Sequence, residues 1–204
     1  MKETSSGWKI QRAAPSVPST ASASQWRVEH TGIALLLILV SVLLLYIAFL
    51  PPSACAGCNA KVSFVFSPDA QADVVSFIHS AQKTIDIEMY VFTSDDIIRE
   101  LGEAEKRGVQ VRVIMEPRVD DSRKQKVFDT LAALGCEMKW ASFTYKLTHS
   151  KFVIVDGKRA LVGSINFSKS ALNDNREAAV ELEGDKVSEI VSVFEEDWIK
   201  ATAS

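Results

Sequence analysis

The chain has 204 residues, 47% of them hydrophobic, and a formal net charge of −3. From Pro51 onward 19 Lys plus Arg face 24 Asp plus Glu, a balance of about −5, which excludes a protein that holds nucleic acid by bulk positive charge. One long apolar run inflates the hydrophobic content, and what remains is enough for a single modest core.

Residues 1–32 form a head whose stretch 13–24 is small, polar and proline-bearing, and disorder is expected there. Residues 33–50 follow, 18 without a charge. As a helix they reach about 27 Å, near the hydrocarbon thickness of a bilayer, so the run predicts a transmembrane anchor. Only Ser41 and Tyr46 are available for a polar face, too few for a core helix. A cleaved secretory signal is the competing reading, because Ala54-Cys55-Ala56 has the small-residue pattern of a cleavage site, with lipoprotein-type processing at Cys55 as a variant. Lys2, Lys9, Arg12 and Arg27 precede the run, and the next cation is Lys61. In a prokaryotic plasma membrane that bias puts the N terminus in the cytoplasm and the rest of the chain outside it, whereas in a mitochondrial outer membrane the same anchor leaves the domain facing the cytosol.

Pro51-Pro52 ends the helix and residues 51–60 read as a linker. Cys55 and Cys58 within it suit a disulfide, intermolecular bridges, or a zinc site completed by His79 and Cys136; no spacing selects among these, and no metal is assigned.

Residues 61–204 alternate strand and helix patterns. Strands are expected over 62–66, 84–92, 109–115, 137–140, 152–155, 160–162 and 178–182. Helices are expected from Ser67-Pro68 toward Gln82, from the Thr93-Ser94-Asp95-Asp96 cap to Lys106-Arg107-Gly108, over 121–134 before Gly135, and over 186–199. Asp156-Gly157 makes a tight hairpin turn between two of the strands. The order implies an α/β sandwich around a mixed sheet.

The chemistry concentrates in His149-Ser150-Lys151 and the apolar strand after it, which runs to Asp156, then Gly163-Ser164-Ile165-Asn166. Strand alternation points His149 and Lys151 the same way. An imidazole, an ammonium, a hydroxyl and a carboxamide together can bind a phosphodiester and attack it. Lys151 and Asn166 would hold nonbridging oxygens, Ser164 would add a donor, and His149 would attack phosphorus through one ring nitrogen. Its other nitrogen needs an acceptor, and Glu177 is the nearest candidate, with Glu181 and Glu183 sharing its parity. Asp156 is counted with the catalytic set, although it faces away from His149 and its expected part is to fix the turn and the backbone behind the site. The cations Arg118, Arg123, Lys124, Lys126, Lys139, Lys146, Lys158, Arg159, Lys169 and Arg176 cluster in the middle third and suggest a basic face, and Phe143 and Tyr145 stand where bases could stack at its edge.

His149, Lys151, Asp156, Gly163, Ser164, Asn166 and Glu177 resemble the His-Lys-Asp signature of the phospholipase D superfamily, and residues 61–200 resemble its small single-motif endonucleases. The resemblance implies two such motifs per active site, one histidine forming a phosphohistidine and the other protonating the leaving oxygen. This chain carries one motif, so the second His149 is expected from another subunit of a homodimer. No metal or other cofactor is expected, because two Lys151 side chains supply the positive charge. The expected activity is a membrane-anchored endonuclease with DNA or RNA as substrate partner and the lipid bilayer as anchor partner; a hydrolase of a membrane phospholipid such as cardiolipin is the alternative.

Overall fold

The computed structural model describes residues 23–49 and 60–203, and within the first stretch it describes the side chains of residues 32–46. Most of the expected head and the linker, with Cys55 and Cys58, lie outside the described residues. Helix α1 (Ala23–Phe49) belongs to one unit of the chain and every later element to a second. Among the described residues no helix is long and apolar enough to cross a membrane. The expected anchor run, residues 33–50, is helical over residues 33–49.

The second unit is built on one seven-stranded sheet in the order β1-β7-β6-β5-β2-β3-β4, with β1 (Lys61–Phe66), β2 (Thr84–Met89), β3 (Gln110–Met115), β4 (Glu137–Trp140), β5 (Lys151–Val155), β6 (Arg159–Gly163) and β7 (Ala178–Glu183). Strands β2, β3 and β4 run parallel and the remaining pairings are antiparallel, so the expected mixed sheet is present. The parallel pairs need crossovers, supplied by α3 (Asp95–Lys106) and α4 (Lys124–Ala133), whereas Asp156-Gly157 joins the antiparallel β5 and β6 directly. Both turn residues have positive φ, 54° and 64°, the backbone of a two-residue hairpin loop that favours Asp-Gly.

Strand parity divides the core in two. Ile85, Ile87, Met89, Val153 and Val155 face α2 (Gln71–His79), α3 and α4, which contribute Val74, Phe77, Ile97, Leu101, Phe128 and Leu131. Phe152, Ile154 and Ala160 face α6 (Val187–Lys200), whose Phe194 is fully buried. Central strands β2 and β5 are covered on both faces. At roughly 1.5–3 kcal/mol for each fully buried aliphatic or aromatic side chain, this two-sided burial is the main stabilising term.

Three expectations are corrected. The helix after β1 starts at Gln71, not Ser67, because the Ser67 hydroxyl donates to Asn175 O (2.7 Å) and accepts from Glu177 N (2.9 Å), tying β1 to the site rather than capping a helix. Strand β2 ends at Met89; beyond it Phe92 makes only a bridge to Phe167. A short helix α5 (Lys169–Asn173), capped by Ser168 accepting from Ala171 N, was not foreseen.

Candidate active site

His149 stands exposed immediately before β5, and Lys151 opens that strand opposite Met89. The Lys151 ammonium donates to the His149 carbonyl at 2.7 Å and lies 3.1 Å from His149 Nδ1. Burial, with 8% of the residue exposed, pushes the Lys151 pKa down, while the Glu177 carboxylate acts against that shift. A cation in this state holds an anion strongly, because little water competes for it. The Tyr90 ring sits 4.3 Å from the imidazole, centroid to centroid, and 5.1 Å from the ammonium. Tyr90 N donates to Ser150 O, so the end of β2 is sewn to the segment that carries the histidine. Sequence reasoning missed Tyr90 as part of the site; its position just past the end of the strand paired with β5 was the available signal.

Ser164 and Asn166 follow β6. The Ser164 hydroxyl donates to Glu177 Oε2 at 2.5 Å, and Asn175 Nδ2 donates to Glu177 Oε1 at 3.1 Å. Asn166 Oδ1 accepts from Val91 N at 3.2 Å, which directs the amide nitrogen away from that bond and leaves it to donate elsewhere. Gly163 permits the close approach of β6 to β7: an added Cβ would stand 2.2 Å from Ala178 O and 2.5 Å from Ala179 Cα.

The structure thus collects His149, Lys151, Ser164, Asn166 and Glu177 at one end of β5, β6 and β7. Two assignments change. Glu177 is held by Ser164 and Asn175, and among the described residues the polar contacts of the His149 ring are with Lys151, so Glu177 does not fix the imidazole tautomer within this subunit. Asp156 lies at the far end of β5, about 16 Å from Lys151 at the strand rise. Its carboxylate accepts from Gln82 N, Lys83 N (2.7 Å) and Thr84 N (3.0 Å). Burial alone would raise the Asp156 pKa, but these backbone donors outweigh it and hold the acid below its ordinary value. Asp156 is a structural acceptor that fixes the start of β2, not a group at the reacting phosphate.

The loop before His149 is anchored by a buried ion pair. Glu116, whose side chain is fully buried, binds the Arg118 guanidinium and accepts from Thr148 N at 2.7 Å. Arg118 in turn donates to Ser142 O, Tyr145 O (2.7 Å) and Lys146 O (2.9 Å). The expected basic face is correspondingly thinner than the sequence suggests. Arg118, Arg123 and Arg159 are engaged by Glu116, Asp95 and Glu181, whereas Lys146, Lys169 and Arg176 are exposed and carry no ion pair among the described residues. Cys136 is buried, its thiol pushed up to about 12 by burial, and His79 is exposed beside Glu100 at 2.9 Å, so the two do not form the start of a metal site.

A mixed sheet between helical layers, with a histidine and a lysine on its central strand and Ser, Asn and Glu beside them, defines a phosphoryl-handling enzyme of the phospholipase D type. The family model described as cardiolipin synthase, PLD-like domain, matches residues 74–198, more than half of the chain, and the protein belongs to this phospholipase D-like family of enzymes acting on phosphodiester bonds. Nuc from Salmonella typhimurium, a phospholipase D family member, superposes with a TM-score of 0.66 at 28% identity, covering 71% of this chain and 97% of Nuc. NucT from Helicobacter pylori shares the fold with a TM-score of 0.63 at 22% identity, over 72% of this chain and 100% of NucT. Among curated relatives, a mitochondrial cardiolipin hydrolase of Chlamydomonas reinhardtii is 26% identical over 145 residues, 71% of this chain, and cardiolipin synthase A of Proteus mirabilis is 30% identical over 135 residues, 63% of this chain. The aligned region spans 63% of the hydrolase and 27% of the synthase.

Proposed function

We propose that the protein is a membrane-anchored endonuclease that hydrolyses DNA or RNA through a phosphohistidine, at a site completed by a second copy of the chain. The observation that carries this reading is the solvent-open His149 beside a half-desolvated Lys151, with one such imidazole per chain. Lys151 and the Asn166 amide bind the nonbridging oxygens, and Ser164 adds its donor when its hydroxyl turns from Glu177 to the phosphate. His149 attacks phosphorus, the phosphorus–oxygen bond to the leaving strand breaks, and the second copy's histidine gives that oxygen its proton. Water then attacks the phosphohistidine, passing its proton to the same second histidine, and the original imidazole is released.

Pairing of two copies is supported by the face that α6 leaves open. This helix packs on β5 and β6, while Val62, Phe64 and Phe66 of β1 are 49%, 64% and 53% exposed on the same side of the sheet. Val193 and Ile199 of α6 are exposed as well. A two-fold axis that lays each α6 over the other copy's β1 and β7 would bury both sets. Nucleic acid as substrate is supported by the open position of His149 and by the exposed Lys146, Lys169 and Arg176 near it in the chain. The exposed apolar run of α1 over residues 33–46 supports an anchor, with the N terminus cytoplasmic and the catalytic domain outside it.

One observation favours phospholipid instead: Phe143, Tyr145 and Leu147, in the loop leading to His149, are 70%, 39% and 39% exposed, an apolar rim on which acyl chains would rest. Incubating the full-length chain in chelator with labelled DNA, RNA or cardiolipin vesicles, beside His149→Ala, separates the two substrates. Cleavage of nucleic acid with an acid-labile, alkali-stable phosphoenzyme, both lost in His149→Ala, is the expected result. Turnover of cardiolipin alone would transfer the reading to the lipid, and unchanged cleavage by His149→Ala would remove His149 from the chemistry.

A further inference from the structure

Glu88 is a carboxylic acid in the middle of β2, between Ile114 of β3 and Phe152 of β5 in the pairing register. It is 1% exposed, and among the described residues no donor is well seated on either carboxyl oxygen. It lines an enclosed space, too tight for a water molecule, together with Ile114, Ala141, Ser142, Tyr145, Thr148 and Asp197. Nothing in the phosphodiesterase chemistry uses it. An ionised carboxylate without donors is strongly disfavoured in such a place, and an unpaired neutral acid much less so. Burial, ahead of the neighbouring Asp197 carboxylate, pushes Glu88 up to about 7, against the pull of the Ser150 hydroxyl.

The groups around it are few. From α6 comes Asp197; from the loop before β5 come the Tyr145 phenol, whose hydroxyl accepts from Lys200 at 2.8 Å, and the hydroxyl of Thr148. The β3 and β5 neighbours, Ile114 and Phe152, carry no charge, and Arg112 on β3 is engaged by Asp86 at 2.7 Å and Glu195 at 2.6 Å. Thr148 and Ser150 flank His149, so the acid lies beneath the one segment whose geometry sets the imidazole against Lys151.

We infer that Glu88 and Asp197 form a proton-sharing carboxyl pair beneath the active site, and that Glu88 is a positioning residue acting on His149 through Thr148 and Ser150. With the shared proton in place, residues 148–150 sit as seen. When it leaves, the donors near the Glu88 carboxylate among the described residues are the Thr148, Ser150 and Tyr145 hydroxyls, and drawing in the first two turns His149 away from Lys151. The proton goes to solvent, and no bond other than the O–H is broken. The inference deepens the phosphodiesterase reading and rests on it for its rate measurement alone.

The test uses the full-length chain in mild detergent with Glu88→Gln, which keeps the shape and cannot ionise, and Asp197→Asn, which keeps the glutamate and removes its partner. Thermal unfolding reads the proton without reference to activity: between about pH 5 and about pH 8.5 the wild type is expected to lose roughly 5–10 °C of Tm beyond what Glu88→Gln loses. Asp197→Asn is expected to move that decline to lower pH. The amide signals of Thr148 and Ser150 are expected to share an inflection near neutrality that Glu88→Gln lacks. Hydrolysis of bis(p-nitrophenyl) phosphate is expected to fall about fivefold more on the alkaline side in the wild type than in Glu88→Gln. Superimposable Tm-against-pH curves would overturn the shared proton. A Tm difference without the amide inflection would overturn the positioning role. Absence of hydrolysis in the wild type would tell against the phosphodiesterase reading, and the Tm and amide measurements would still decide this one. Should Glu88→Gln not fold, an unmoved decline in Asp197→Asn overturns the pair.

Discussion

Replacing Asp156 separates a structural acceptor from a catalytic acid. Its carboxylate receives backbone N–H groups of Gln82, Lys83 and Thr84, three donors at the point where the chain enters β2. A hydrogen bond to a charged group contributes about 1.5–3 kcal/mol, but Gln82 and Lys83 are exposed and recover water when the acceptor goes, so only the part-buried Thr84 bond counts nearly in full. Asp156→Ala is therefore expected to cost about 2–3 kcal/mol, a fall of roughly 5–10 °C in Tm for a domain this size. Asp156→Asn keeps one acceptor oxygen and should cost less. Because the folded pKa lies below the unfolded value near 4, the stabilisation is complete above that value and disappears as pH falls through the folded pKa, so wild type and variant should converge in acid. Measured by thermal unfolding from about pH 7 to about pH 2, with turnover assayed well below the variant's Tm, the gap should close while activity persists at neutral pH. Loss of turnover with an unchanged Tm would refute the structural role and return Asp156 to the chemistry.

Gly163→Ala should lower stability by about 2 kcal/mol or more, read from denaturant unfolding, because the new Cβ meets the β7 backbone, which cannot move aside as a side chain would. Lys151→Met should abolish turnover with no loss of Tm, since it removes a buried cation from a poorly hydrated place; the depressed lysine pKa makes wild-type stability rise toward alkaline pH, and the variant should lack that rise. Arg118→Met should lower Tm by leaving the buried Glu116 carboxylate with only the backbone N–H groups of residues 118 and 148, and hydrogen exchange should quicken at Thr148 N–H. Val62→Asp with Phe64→Asp should turn a dimer into monomers by light scattering and remove activity with it, with the monomer's Tm within a few degrees of the parent.

The local chemistry of this protein was legible in its residues. Apolar alternation gave the strands within one to three residues, the Asp156-Gly157 pair gave the hairpin, and a histidine two residues before a lysine at the head of a buried strand gave the centre of the site, because these depend on period-two geometry that neighbouring residues already contain. Which groups answer which was not legible. Glu177 turned to Ser164 and Asn175, Asp156 to the entry of β2, Arg118 to Glu116 and three carbonyls, Tyr90 to the imidazole and Glu88 into a dry pocket against Asp197. Most of those pairs join residues on different strands or loops, many positions apart. Only the closing of the sheet, with β5 set between β2 and β6 and α6 laid on one face, brings them within hydrogen-bond reach and strips away the water that would have satisfied them separately.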